Sequence, residues 1–195
     1  MFQRPFWKSA YMPSNAFTRL SVALADVDAQ IAHAKTFAGG RRGAPASVNG
    51  VARPGRPFTR AATVMLAGAL EGYVEALAIE TGKALGYSPQ QMKDLDYVVG
   101  RSHGANVGHI HNLFAQVGMP FVLDTVGWKG LPKGTVRKFV GDLAKRRNQI
   151  AHGAAPQVAV VVEVERWRRL VGSLSQALDT AAAKRVADVV GTAPW

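Results

Sequence analysis

Four stretches of this chain space their apolar side chains three and four residues apart, a period that suits helices packed on helices. Leu20, Leu24, Val27 and Ile31 mark the first stretch, and Leu66, Leu70, Tyr73 and Leu77 the second. Val136, Val140, Leu143 and Ile150 mark the third, and Val164, Trp167, Val171, Leu174, Leu178 and Ala181 the fourth. Each helix would carry one apolar face, and the simplest way to bury four such faces is against one another. The expectation is an all-α chain: an up-down bundle of four main helices, with shorter ones inserted between the second and the third.

Punctuation along the chain refines this. Ser14 is placed to cap a first helix running to about Phe37, closed by Gly39-Gly40. A Gly-, Pro- and Arg-rich run follows to about Pro57, and its Arg41, Arg42, Arg53 and Arg56 suit contact with a polyanion or a solvated loop. Thr59 is placed to cap the second helix, which ends near Leu85-Gly86. Within it Gly68 and Gly72 fall four apart, a spacing that admits close approach of another backbone, and Glu71 and Glu75 share a face. Ser88-Pro89-Gln90-Gln91 is a capping box with proline at the first helical position, opening a short helix to about Val99. Asn106 to Val117 forms another, stopped by Gly118 and Pro120, and residues 127–134 are turn-rich. Val158 to Val162 is strand-like in composition but short and without a pairing partner, just ahead of a last helix from about Glu163 to Val190.

At 195 residues a single domain covering the whole chain is expected. Residues 1–58 would supply the N-terminal helix and basic loop, and 59–195 the core. With no cysteine, disulfides, thiol nucleophiles and thiolate metal sites are excluded, which suits a reducing cytoplasm. The N-terminus, with Pro5, Trp7 and Pro13, lacks a signal-peptide core. Residues 61–79 are apolar enough to suggest a membrane span, but Glu71 and Glu75 would be costly at a bilayer centre, so a core helix and no membrane partner are expected.

The net charge of +11 is concentrated at the ends. Residues 1–60 hold nine basic and two acidic side chains and residues 131–195 eleven and five, against four and six between them. Two basic ends fit a polyanion partner, RNA above all, although such surfaces also serve solubility alone.

The third stripe contains an anomaly. Its spacing calls for an apolar residue at position 147, and the chain has Arg147, on a face that should be buried, where an unpaired charge costs several kcal/mol. Five residues on, His152 precedes Gly153, which suits a helix C-cap. Arg147 would thus be either paired with a buried carboxylate such as Glu71 or poised to hold an anion. Asn148 lies four residues before His152, on nearly the same helical face, and suits orienting the imidazole or a phosphate oxygen. Lys145 and Arg146 would add phosphate attraction or plain solubility.

Arg147-Asn148-Gln149-Ile150-Ala151-His152-Gly153 resembles the motif of the HEPN superfamily, whose ribonucleases carry Arg, a polar residue, a short gap and His. The form here is similar to that of the bacterial RiboL-PSP and MAE-type HEPN groups. Ala69-Leu70-Glu71-Gly72-Tyr73-Val74-Glu75 resembles the apolar-Glu-Gly-aromatic segment of their earlier long helix, and Asn106 to Gly118 the short helix before the motif helix. The resemblance covers about residues 59–185. It implies a HEPN-like four-helix domain that dimerises through its motif helices, and RNA cleavage without a metal or other cofactor. Toxins and phage-defence effectors are the usual settings, with an antitoxin or a larger defence complex as a further partner. Many members are noncatalytic binding modules.

On that reading Arg147, Asn148 and His152 are the catalytic set, with Glu71, Lys145 and Arg146 in support. Cleavage of this kind needs the 2′-hydroxyl deprotonated, the leaving 5′-oxygen protonated and the phosphorane charge stabilised. Imidazole is suited to either proton transfer and guanidinium to the charge. Five residues apart, Arg147 and His152 diverge by about 140° around an ideal helix, and a dimer bringing two copies together would repair that. His103, His109 and His111 invite a zinc reading, but neither a cysteine nor a nearby acidic ligand completes the set, and no metal is expected. Trp7, Trp128, Trp167 and Trp195 are expected to pack rather than to stack on bases.

Overall fold

The computed structural model describes residues 12–38, 54–101, 104–128, 130–131, 135–153 and 160–195. They form seven helices: α1 (Asn15–Ala38), α2 (Arg56–Ala84), α3 (Pro89–Arg101), α4 (Val107–Ala115), α5 (Val122–Thr125), α6 (Thr135–Ala151) and α7 (Val161–Val190). No strand occurs among the described residues, where the sole bridge pairs Trp128 with Leu131. The chain is all-α, with its short helices between the second and third long ones.

The stripes explain the packing. Leu20, Leu24, Val27 and Ile31 are buried on α1, and Leu66, Leu70, Tyr73 and Leu77 on α2. Removing these faces from water is the main favourable term holding the helices together. α2 is the hub: α1 lies along it most extensively, α7 and α6 pack on its other sides, and α3 and α4 rest on its flank. By length and composition α2 is apolar enough to cross a bilayer, but half of its most apolar window is covered by the rest of the protein. A polar tie joins the layers where Tyr73 Oη donates to the Ser175 carbonyl at 2.6 Å. A second lies at the start of α1. Ser14 caps the helix by accepting from Phe17 N at 3.0 Å, and its own hydroxyl and N–H both donate to the carboxylate of Asp179, which is fully buried on α7.

Several boundaries differ from expectation. α2 begins at Arg56, not after Thr59, because Pro57 stands in its first turn, where the missing N–H costs nothing. Thr59 is therefore inside the helix, its hydroxyl donating to the Arg56 carbonyl at 3.0 Å. The strand-like composition ahead of the last helix does not yield a strand at its described end. Val160 is the N-cap of α7, and Val161 and Val162 are its first turn. Val158 and Ala159, the arginines at 41, 42 and 53, Trp7 and His103 lie outside the described residues.

Among the described residues no atom lies near where a Cβ of Gly68 or Gly72 would sit, so no described backbone approaches them. A close backbone approach occurs instead at Gly55, where a Cβ would meet the Ala34 carbonyl oxygen of α1 at 3.0 Å, and at Gly82 a Cβ would come within 3.0 Å of the Leu95 side chain on α3. α5 has no counterpart among the expected elements, and it opens at Phe121, an exposed residue in the left-handed region at φ 54°. The capping box is formed: Ser88 N donates to Gln91 Oε1 at 2.9 Å, and Gln91 N to Ser88 Oγ at 3.4 Å. Trp167 is buried, and Trp128 and Trp195 pack against the core.

Candidate functional site

The anomalous position sits on α6 as the stripe requires. Val136, Val140, Leu143 and Ile150 are buried, while Arg147 is half-buried at the seam between α6 and α2. Two contacts set the register of that seam. Arg60 of α2 reaches the Ile150 carbonyl, and Ala67 and Glu71 line a cleft with Leu143, Ala144, Arg147 and Asn148. Later residues of α2 thus meet earlier residues of α6, and the two helices run antiparallel.

Glu71 and Arg147 share this cleft but form no ion pair. Glu71 instead accepts the backbone N–H of Gly104, pinning the approach to α4 against α2. Arg147 Nη1 donates to the side-chain oxygen of Asn148 at 3.1 Å. The carboxamide placed by its spacing to orient the imidazole therefore orients the guanidinium instead. Among the described residues Arg147 is in no ion pair, whereas Arg19, Lys35, Arg137, Lys138, Arg146, Arg168 and Lys184 each have a carboxylate partner. The cleft itself has a volume of about 20 Å³, room for one water but not for a nucleotide. A phosphate meeting Arg147 must do so from the solvent side.

His152 is exposed beyond the last turn of α6. Its backbone N–H bonds to the Asn148 carbonyl at 3.0 Å, and Gly153 follows at φ 68°, the left-handed cap expected there. Asn148 and Ala151 are also exposed, so the end of the motif helix faces solvent.

The expected supporting residues divide between two places. Glu71 joins Arg147 and Asn148, but Lys145 and Arg146 line a separate groove between α6 and α7, together with Gln149, Arg166 and Trp167. Arg146 lies 3.2 Å from Glu163 and over the Trp167 ring at 5.9 Å from its centroid. It is engaged in joining α6 to α7.

Two histidines of α4 are also engaged within the fold. His109 is 4 % exposed, neither ring nitrogen has a hydrogen-bond partner, and Nε2 is 3.6 Å from a Glu75 oxygen. Burial pushes its pKa down, and the nearby Glu71 charge partly offsets this. His111 packs edge-on against Phe121, and burial lowers its pKa too. No group of three metal-ligating side chains gathers among the described residues.

Arg60 is the residue that sequence reading missed. Its guanidinium donates to the Ile150 carbonyl at 3.2 Å, beside the turn that carries His152. The available signal was spacing: Arg60, Ala67 and Glu71 fall at i, i+7 and i+11, one stripe of α2. Comparison of the chain with protein-family models, curated proteins and solved structures finds no match.

Proposed function

We propose that this chain is a metal-independent endoribonuclease of the HEPN type, acting as a homodimer in the cytoplasm as a toxin or phage-defence effector. α1, α2, α6 and α7 would be the four helices of the HEPN-like bundle. The observation that carries the reading is the state of Arg147: a half-buried guanidinium with no carboxylate partner among the described residues, about one and a half turns from an exposed histidine at the end of the same helix. Arg147 stands in an apolar stripe, and Glu71, the carboxylate that shares its cleft, accepts a backbone N–H instead of pairing with it.

In this reading the RNA 2′-oxygen attacks the adjacent phosphorus and the P–O5′ bond breaks. The products are a 2′,3′-cyclic phosphate and a 5′-hydroxyl. One His152 takes the 2′-hydroxyl proton and another gives a proton to the leaving oxygen, while Arg147 stabilises the equatorial oxygens of the phosphorane. Arg147 and His152 would diverge by about 140° on an ideal helix, and a homodimer would bring the groups of two copies together. Lys145 contributes positive potential along the approach, whereas the charge of Arg146 is matched by Glu163.

The same divergence favours a second reading, a noncatalytic RNA- or protein-binding module, if the chain works alone. Incubating the purified protein with RNA in excess chelator separates the two. Cleavage to cyclic-phosphate ends, lost in His152→Ala and in Arg147→Ala, is the expected result. Binding without cleavage would favour the module, and full activity in both variants would refute the site.

A further inference from the structure

We propose that Arg60 is a second phosphate-binding residue of this site, holding an RNA phosphate beside the one that meets Arg147. The inference rests on the RNA reading above and extends it to a residue outside the motif. Arg60 and Arg147 lie on the facing stripes of α2 and α6: Arg60 shares its stripe with Ala67 and Glu71, and Arg147 shares its own with Leu143 and Ile150. Arg60 is half-buried, and its guanidinium bonds to a neutral acceptor, the Ile150 carbonyl, at 3.2 Å. Among the described residues no carboxylate pairs with it.

A guanidinium presents five N–H donors in a planar fork, so one bond to a carbonyl leaves an edge for a phosphate. The bond also has a positional consequence. The Ile150 carbonyl accepts from Gly153 N as well, at 3.3 Å, so Arg60 anchors the turn from which His152 projects. Two guanidinium groups on the facing stripes of one seam, neither in an ion pair among the described residues, suit a partner with repeating negative charge.

The test uses a single-stranded RNA with 2′-O-methyl groups throughout, which binds but cannot be cleaved. Its affinity for the protein is measured over a range of salt concentrations. Each phosphate contact contributes about 0.7 to the slope of log K against log salt for a single strand. Arg60→Gln, which keeps a donor for the Ile150 carbonyl, should bind more weakly and flatten the slope by about 0.7. Arg60→Lys should retain the slope. If the wild-type protein binds and Arg60→Gln has an unchanged slope, Arg60 is only a helix anchor and the proposal fails alone. If the wild type does not bind this RNA, the RNA reading fails and the proposal with it. Should Arg60→Gln melt well below the wild type, Arg60→Lys against the wild type in the same titration still decides, because a lost slope there also refutes the assignment.

Discussion

Arg146 and Arg147 are neighbours in sequence on the same helix, yet they occupy opposite kinds of surroundings. Arg146 turns toward α7, where Glu163 neutralises it and Trp167 lies beneath it. Arg147 turns toward α2, where Glu71, the acidic residue in its cleft, accepts a backbone N–H and its own partner is the neutral Asn148. An arginine whose charge is matched within the fold contributes to holding two helices together. An arginine whose charge is unmatched retains its attraction for an external anion. The step of about 100° between consecutive helical residues is enough to separate these roles.

The largest expected effect tests this contrast directly. Arg147→Ala should lower RNA cleavage by about 100- to 1,000-fold, the usual cost of losing a transition-state charge donor. Its melting temperature should change little, because no ion pair is broken. Arg146→Ala should do the reverse, with cleavage within about tenfold and a stability loss of about 1 kcal/mol from the ion pair and the ring contact. Cleavage assays and thermal melts on the two variants in parallel measure both axes. Equal losses of cleavage would show that the two sides of α6 are not functionally distinct.

A smaller effect concerns His109 of α4, which lies near Glu75 and Glu71 of α2. Its folded-state pKa lies below the unfolded value, so between the two the unfolded chain binds the extra proton. The contribution to stability is complete above the unfolded value of about 6.5 and is lost as pH falls toward the folded one. Melting temperature should therefore drop on acidification from about pH 7.5 to about pH 5, the window that spans the unfolded value. His109→Phe, similar in size and unable to protonate, should drop less. An identical acid response in the variant would assign the sensitivity to other groups.

Much of this was legible in the sequence for physical reasons. Periodicity located all four long helices, because burying a face demands an apolar residue at every turn. α6 could be bounded correctly, since its stripe and the Gly153 cap both mark its limits. Partner choice was less legible. Glu71 is a plausible counter-ion for Arg147 by face, but whether it takes the guanidinium or the Gly104 N–H depends on where the segment before α4 lands. Arg60 was hidden for a related reason: its role is defined by a carbonyl ninety residues away, and backbone carbonyls carry no sequence signal. The valines at the start of α7 favour a strand by composition, but at Val161 and Val162 the helix that buries Val164 and Trp167 prevails.

The smallest effect sharpens the contrast from the acidic side. Glu163→Gln removes the charge opposite Arg146 while keeping the side chain's size and its ability to accept a hydrogen bond. The pair is partly exposed, with side-chain exposures of 19 % for Arg146 and 31 % for Glu163, so solvent screens it and the stability loss should stay below about 1 kcal/mol. The loss should shrink further in high salt. The more telling consequence lies in binding: Arg146, freed of this carboxylate's charge, becomes an additional attractor for anions, and affinity for uncleavable RNA should rise modestly at low salt. If affinity is unchanged, the groove between α6 and α7 lies off the RNA path, and binding belongs to the Arg147 side alone.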